Sequence, residues 1–181
     1  MNKFREADRT RQGPKVVSEA DPSDVLKKYR EQFVASVPPD AGKAYRFVEP
    51  VAFGFTPQDA TEIAQLVLDG VKTATGSPLW SYEADGKELP RTGDLWIAID
   101  GNSRPVCIAR TTNVEILSFD EIGEDYARWG GEGDCSLQSW RRIYWKYIEL
   151  ECKRIGRDPS VKAPLVMERF GVVYRAVNDS V

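Results

Sequence analysis

The sequence predicts an α+β fold in which helices surround a small, mostly antiparallel β-barrel. Two apolar runs, 95–100 and 105–113, flank a turn cluster that begins at Gly101, and this pattern is typical of a β-hairpin. Two other segments, 57–69 and 137–155, carry apolar residues at helical spacing. Because strands and helices do not alternate regularly along the chain, a doubly wound parallel sheet is disfavoured.

Composition favours one soluble domain with a tail. The chain has 181 residues, of which 41% are hydrophobic and 29% charged. A net charge of −3 argues against bulk electrostatic binding to long nucleic acid. The sequence contains no apolar run of the roughly 18 residues that span a membrane and no apolar core of a signal peptide near its start. Its three cysteines are far apart, which favours a reducing cytoplasm.

The chain contains no histidine. This excludes Ser-His-Asp and Cys-His catalysis, histidine-pair ribonuclease chemistry and histidine metal ligation. Any acid–base chemistry must therefore use Lys, Asp, Glu, Tyr, Cys or a metal-bound water.

The N-terminal part divides into two segments that precede the main domain. Residues 1–22 are rich in charge and poor in apolar groups, which predicts a flexible tail. Residues 23–45 are predicted to form a helical extension, with a helix over 24–37 that Asp21 or Ser23 caps. Residues 46–177 are predicted to form the domain. The apolar stripe of that helix consists of Val25, Leu26, Tyr29, Phe33 and Val34. We expect this stripe to pack on the domain of the same chain.

The best-defined helix covers 57–69 and leads into an unusual polar segment. Thr56 is a natural N-cap, Pro57 suits the first turn, and Gly70 ends the helix in a left-handed conformation. Lys72 then precedes small and hydroxyl residues up to Ser77. A solvated edge strand and a functional segment are both compatible with this pattern.

Weaker signals describe the segments on either side of the helix and hairpin. Residues 46–55 have strand-like composition, but Pro50 would confine them to a sheet edge. Residues 78–90 predict a loop or loose hairpin with a turn at Asp85-Gly86. Trp80 and Tyr82 in that segment either cover the core or stack on a base.

The C-terminal third predicts two helices and a closing strand. Ser118 and Glu121 form a capping box for a helix over 119–129. The glycine-rich loop 130–134 carries Glu132 and Asp134, and the following helix ends at Gly156. Residues 163–175 read as one or two strands that close the sheet.

Several of these motifs together resemble the ASCH domain, a PUA-like β-barrel family. The resemblance rests on the helix followed by Gly70-Val71-Lys72-Thr73-Ala74-Thr75 and on the strand opening Thr92-Gly93-Asp94. Segments 89–95, 131–134 and 168–174 resemble the longer bacterial branch of that family. The similarity covers about residues 46–175.

The resemblance implies work on RNA or nucleotides. Some family members are single-strand ribonucleases, and others are amidohydrolases that remove the acyl group from N4-acetylcytidine. In the amidohydrolase branch a motif lysine, a threonine three residues later and a downstream glutamate carry the chemistry. These positions correspond to Lys72, Thr75 and Glu132.

Several functions are compatible with these residues. The favoured one is a hydrolase that cleaves single-stranded RNA, with Lys72 stabilising the phosphorane charge and Glu132 and Asp134 binding Mg²⁺ or Mn²⁺. Alternatively, Lys72, if desolvated, takes a proton from Thr75 while Glu132 handles a leaving amine. The sequence is also compatible with a non-catalytic RNA-binding module and with a nucleotide-sensing regulator. Glu132 and Asp134 could also serve only solubility and helix capping.

The substrate-binding candidates are aromatic, hydroxyl and arginine side chains. They are Ser77, Trp80, Tyr82, Arg91 and Arg128. Expected partners are RNA or a modified nucleoside, with no membrane, and both a monomer and a homodimer are compatible with the sequence. In a regular strand Lys72 and Thr75 would point to opposite faces, so they can converge only where the strand bends or ends.

Overall fold

The computed structural model describes residues 21–38 and 45–175. The helices in this part of the chain are α1 (Pro22–Ser36), α2 (Pro57–Leu68), α3 (Leu79–Asp85), α4 (Glu124–Gly130) and α5 (Leu137–Ile155). The strands are β1 (Ala74–Pro78), β2 (Leu95–Ile99), β3 (Pro105–Ser118) and β4 (Pro164–Arg175). A short 3₁₀ turn, Phe119–Glu121, follows β3.

The four strands form one antiparallel sheet in the order β1-β4-β3-β2. The long strand β3 pairs with β4 from Cys107 to Ser118 and also with β2. Irregularities in the β3–β4 register increase the local twist, so the sheet curls into a half-barrel. The predicted α+β class, with helices around a barrel-like sheet, is confirmed.

Helices cover the curled sheet through three apolar clusters. The largest joins α5 to β1 and β4 and includes Trp140, Ile148 and Met167. The second packs α2 against β2, β3 and β4. In the third, Tyr29 and Phe33 of α1 contact residues of β2 and β3. The N-terminal helix therefore packs on the sheet of its own chain.

The expected apolar stripe of α1 is only partly buried. Tyr29 and Phe33 are buried, whereas Val34 is 46% exposed. Asp21 caps this helix by accepting a hydrogen bond from the Ser23 amide. The predicted tail, 1–22, lies outside the described residues except for its last two positions.

The structure corrects three predicted elements. Residues 79–85 form a helix rather than a loop or hairpin, and Gly86 ends it in the left-handed region. Contacts with α5 stabilise this helix, because the Ser81 hydroxyl donates to Glu151 at 2.7 Å and Arg154 pairs with Asp85. The helix predicted over 119–129 is split by an extended backbone at Ile122 and Gly123.

The third correction concerns the predicted edge strand 46–55. This segment forms only two isolated parallel bridges to β2, at Phe47 and Val51. It runs alongside β2 as an irregular segment. Its residues line a cleft that Lys72 and Thr75 also line. Within the described residues, none of the helices is long and apolar enough to cross a membrane.

Candidate functional site

The end of α2 fixes the backbone at Lys72. Gly70 has a φ of +74°, in the left-handed region that ends the helix. The amides of Val71 and Lys72 then donate to the Leu66 carbonyl at 2.9 and 3.0 Å. These bonds leave little freedom in the backbone from which the Lys72 side chain projects.

The Lys72 ammonium is buried and paired. Its side chain is 1% exposed, and Nζ donates to Glu132 Oε1 at 2.6 Å. Nζ also donates to the Gly130 carbonyl at 3.3 Å and lies 5.3 Å from the centroid of the Phe53 ring. A buried charge requires such partners, because an unpaired ammonium would lose its hydration without compensation.

Gly131 allows the acidic loop to reach Lys72. Its φ is +68°, and a Cβ at this position would lie 2.8 Å from the Val71 carbonyl oxygen. The amide of Thr73 also donates to the Trp129 carbonyl at 2.7 Å. The loop after α4 therefore packs on the backbone at Lys72, which brings Glu132 into contact with the amine.

Lys72, Thr75 and Glu132 line the same cleft, which has a volume of about 1140 Å³. Along β1, Thr75 and Ser77 are partly exposed, while the residues between and beside them are buried. The regular strand begins only at Ala74. Lys72 precedes it, so the alternation of the strand does not prevent Lys72 and Thr75 from facing one cavity.

Tyrosines and a hydroxyl form one polar wall of the cleft. Tyr147 Oη donates to Ser77 Oγ at 3.4 Å. Burial, together with the nearby Glu168 carboxyl, raises the pKa of Tyr82 to about 12. Tyr82 and Ser77, which the sequence analysis named as candidate substrate contacts, both line the cleft.

Glu168 is a further acidic group of the cleft. Thr111, which is fully buried, donates through Oγ1 to Glu168 Oε2 at 3.0 Å. Burial raises the pKa of Glu168, the hydrogen bond from Thr111 lowers it, and the nearby Asp94 carboxylate raises it, so that the net shift is upward. Sequence reasoning did not identify Glu168 as a site residue. The available signal was a single carboxylate after the apolar run Leu165-Val166-Met167.

Three of the predicted substrate-binding residues are not among those that line the cleft. Trp80 packs beneath the Arg157 guanidinium, whose central carbon is 3.9 Å from the centroid of the ring. Arg91 pairs with Glu88, and Arg128 pairs with Asp125 on the surface of α4. The Trp80 contact is tertiary, whereas Arg91 and Arg128 pair with carboxylates three residues before them in the chain, a local spacing that the sequence did contain.

The predicted Mg²⁺ or Mn²⁺ pair does not fit the side chains. Glu132 is bonded to Lys72, whereas Asp134 accepts hydrogen bonds from the Ser136 amide and hydroxyl at the start of α5. These bonds lower the pKa of Asp134 to about 2. No group of three or more Cys, Asp or Glu residues in the described ranges is arranged to hold a metal ion.

The cleft carries more acidic than basic groups. Eight acidic and four basic side chains of the described residues line it. Three of the four basic side chains are neutralised by ion pairs with carboxylates. Lys72 pairs with Glu132, and Lys87 pairs with Glu49. Arg46 pairs with both Asp94 and Glu88. This distribution disfavours a polyanion and suits a neutral ligand.

Comparison with known proteins finds similarity to ASCH domains. The family model described as the ASCH domain matches residues 49–174. The crystal structure of an ASCH domain from Lactobacillus crispatus JV V101 is similar at 29% identity, with a TM-score of 0.80 over 84% of this chain and 96% of that one. A protein from Enterococcus faecalis V583 is similar at 27% identity, with a TM-score of 0.72 over 83% and 89% of the two chains. No curated protein matches the sequence.

Proposed function

Since the chain belongs to the ASCH domain family, a PUA-like family associated with RNA binding, we propose that it hydrolyses the acyl amide of an N4-acylated cytosine nucleoside. The observation that carries this proposal is the buried Lys72–Glu132 pair in an acidic cleft that Thr75 also lines. N4-acetylcytidine is the simplest substrate of this class.

The pair supplies a route for the proton of the nucleophile. Glu132 is 2.6 Å from the Lys72 ammonium and is placed to accept its proton. The neutral amine can then act as the base toward the Thr75 hydroxyl. The threonine oxygen attacks the acyl carbon, the bond between that carbon and N4 breaks, and the proton returns through the pair to N4. Water then hydrolyses the acyl-threonine ester and releases the carboxylic acid.

The charge of the cleft favours this reaction over RNA cleavage. A ribonuclease must bind a chain of phosphates, and its affinity depends on free cationic groups. Here three of the four basic groups of the cleft already pair with carboxylates. A nucleoside without phosphates avoids the repulsion from the remaining acids.

An acyl-release assay tests the proposal. Purified protein is incubated with N4-acetylcytidine, and cytidine is measured by chromatography. We expect turnover by the wild type and a loss of about 10³-fold or more in Lys72→Met and Thr75→Ala, because these changes remove the base and the nucleophile. Lys162→Met is the matched control, since this exposed lysine also forms a 2.6 Å ion pair, with Asp120. Absence of turnover by the wild type, or full activity of Lys72→Met, would contradict the proposal.

The same preparation separates this reaction from the competing functions. Cleavage of single-stranded RNA, with or without Mg²⁺ or Mn²⁺, in the absence of acyl release would favour a ribonuclease. A gel shift of RNA with steep salt dependence and no cleavage would favour a binding module. Thermal stabilisation by a nucleotide without turnover would favour a sensor.

A further inference from the structure

Glu168 occupies a special position in the cleft relative to Thr75. The two residues are direct partners in the antiparallel β1–β4 pairing. Side chains at such positions lie on one face of the sheet with their Cβ atoms about 5 Å apart. Both residues line the cleft, so a ligand that contacts Thr75 lies within reach of the Glu168 carboxyl.

The Glu168 carboxyl is held by one protein donor. Thr111 donates to Oε2, and in the described part of the chain no other side chain or amide bonds to this carboxyl. Among the described residues, Oε1 is not a fully buried atom without a hydrogen-bond partner, so part of its surface is accessible. Oε2 is therefore fixed as an acceptor and can accept a second hydrogen bond from a ligand, while Oε1 has no protein partner within the described ranges and is available to the same ligand.

We infer that Glu168 recognises the cytosine ring, donating a hydrogen bond from Oε1 to ring N3 and accepting one from N4–H at Oε2. This inference rests on the proposed function and names the group that selects its substrate class. A neutral carboxylic acid has one donor and one acceptor side by side, which matches the N3 acceptor and N4–H donor of cytosine.

Thr111 makes this recognition selective. Because Thr111 donates to Oε2, the proton of the neutral carboxyl resides on Oε1. Uracil presents its donor at N3 and its acceptor at O4, the reverse order. The fixed orientation of the carboxyl therefore favours cytosine over uracil.

The same arrangement aligns the reacting atoms. The scissile acyl carbon is bonded to N4, one bond from the ring edge that Glu168 would hold. Thr75, directly across from Glu168, then faces that carbon. Recognition and attack are thus served by neighbouring side chains of paired strands.

The surroundings of Glu168 shift its pKa upward on balance. Burial raises the pKa of the carboxyl, the hydrogen bond from Thr111 lowers it, and Asp94, before β2, raises it. Tyr82 of α3 faces the same carboxyl, and Lys72 and Glu132 line the cleft but are bonded to each other. Since the raised pKa extends the neutral form to higher pH, binding should weaken as pH rises through that pKa.

Calorimetric titration with cytidine and with uridine tests the inference. We expect the wild type to bind cytidine about tenfold or more tightly than uridine, because uridine leaves the cleft groups unpaired. Cytidine affinity should fall as pH is raised through the pKa of Glu168, which lies above the ordinary value of a glutamate. Glu168→Gln keeps a donor and an acceptor, so it should retain binding and lose the pH dependence. Glu168→Ala should lose about tenfold or more in cytidine affinity.

Further measurements distinguish a failure of recognition from a failure of folding or of the proposed reaction. Melting temperatures report whether the variants are folded. Thr111→Val retains the Glu168 carboxyl but removes the donor to it, so this variant should show reduced selectivity for cytidine. Selective cytidine binding without acyl release would overturn the proposed reaction alone. Acyl release with an unchanged KM in Glu168→Ala would overturn the recognition role alone. Equal affinity for cytidine and uridine, or no detectable cytidine binding by the wild type, would also overturn it.

Discussion

The ammonium of Lys72 lies 2.6 Å from the carboxylate of Glu132, although 60 positions separate the two residues in the chain. Lys72 is 1% exposed, whereas Glu132 retains 22% exposure toward the cleft. The buried charge therefore depends on a partner carried by a distant loop. This dependence leads to the first two predictions.

Glu132→Gln should destabilise the protein, because it leaves the Lys72 ammonium buried without a counter-charge. We expect a loss of about 1–3 kcal/mol in the free energy of unfolding, measured by urea denaturation. Asp120→Asn, which breaks the exposed ion pair with Lys162, should have little effect. Equal stability of Glu132→Gln and wild type would show that the buried pair contributes nothing to folding.

Gly131→Ala should also destabilise the site loop. The new Cβ would lie 2.8 Å from the Val71 carbonyl oxygen, in addition to the strain of a φ of +68°. We expect a loss of about 2–3 kcal/mol, with acyl release reduced because Glu132 is displaced. Gly156→Ala is the control, since its φ is +70° but its Cβ would meet nothing within 4 Å. Only the conformational penalty of about 1 kcal/mol should remain there.

Asp134 should stabilise the same loop in a pH-dependent manner. Hydrogen bonds from Ser136 lower its pKa from 3.8 to about 2 in the folded protein. When folding lowers the pKa of a carboxyl, its contribution to stability is complete above the pKa of the unfolded state. That contribution is lost as pH falls through the pKa of the folded state. The melting-temperature difference between wild type and Asp134→Ala should therefore be constant near neutral pH and shrink below about pH 4. A difference that grows on acidification would contradict this assignment.

The contact between α1 and the sheet should contribute to the stability of the whole domain. Phe33 is 1% exposed and contacts the rings of Tyr45, Phe47 and Tyr174. Phe33→Ala should cost about 3–5 kcal/mol in one cooperative unfolding transition. Val34→Ala, at a position that is 46% exposed, should change stability by less than about 0.5 kcal/mol. An unchanged melting curve for Phe33→Ala would indicate that the helix does not support the domain.

Local sequence signals were sufficient for the best-defined elements. The N-cap Thr56 and Gly70 delimit α2, as the pattern predicted, and the structure adds a capping box between Thr56 and Asp59. The hairpin of β2 and β3 and the long helix α5 follow from apolar periodicity and turn residues. In each case the deciding interactions lie within a few residues of one another, so they can be read from the chain.

Other features depended on contacts between distant segments. The segment 79–85 becomes helical against α5, and Trp80 is directed to Arg157 rather than to the cleft. The side chain of Asp134 turns to Ser136 at the start of α5, although Glu132 in the same loop faces Lys72. Local composition does not encode which of two nearby side chains faces a cavity.

The sequence by itself determined the α+β class and the rigid stop after α2 that precedes Lys72, because caps, glycines and periodicity act locally. Only the tertiary structure decided that Glu132 is the partner of Lys72 and that Glu168, held by Thr111, lies across from Thr75. The physical reason is that burial and strand pairing bring these groups together. Their charges and hydrogen bonds depend on neighbours that are far away in the chain.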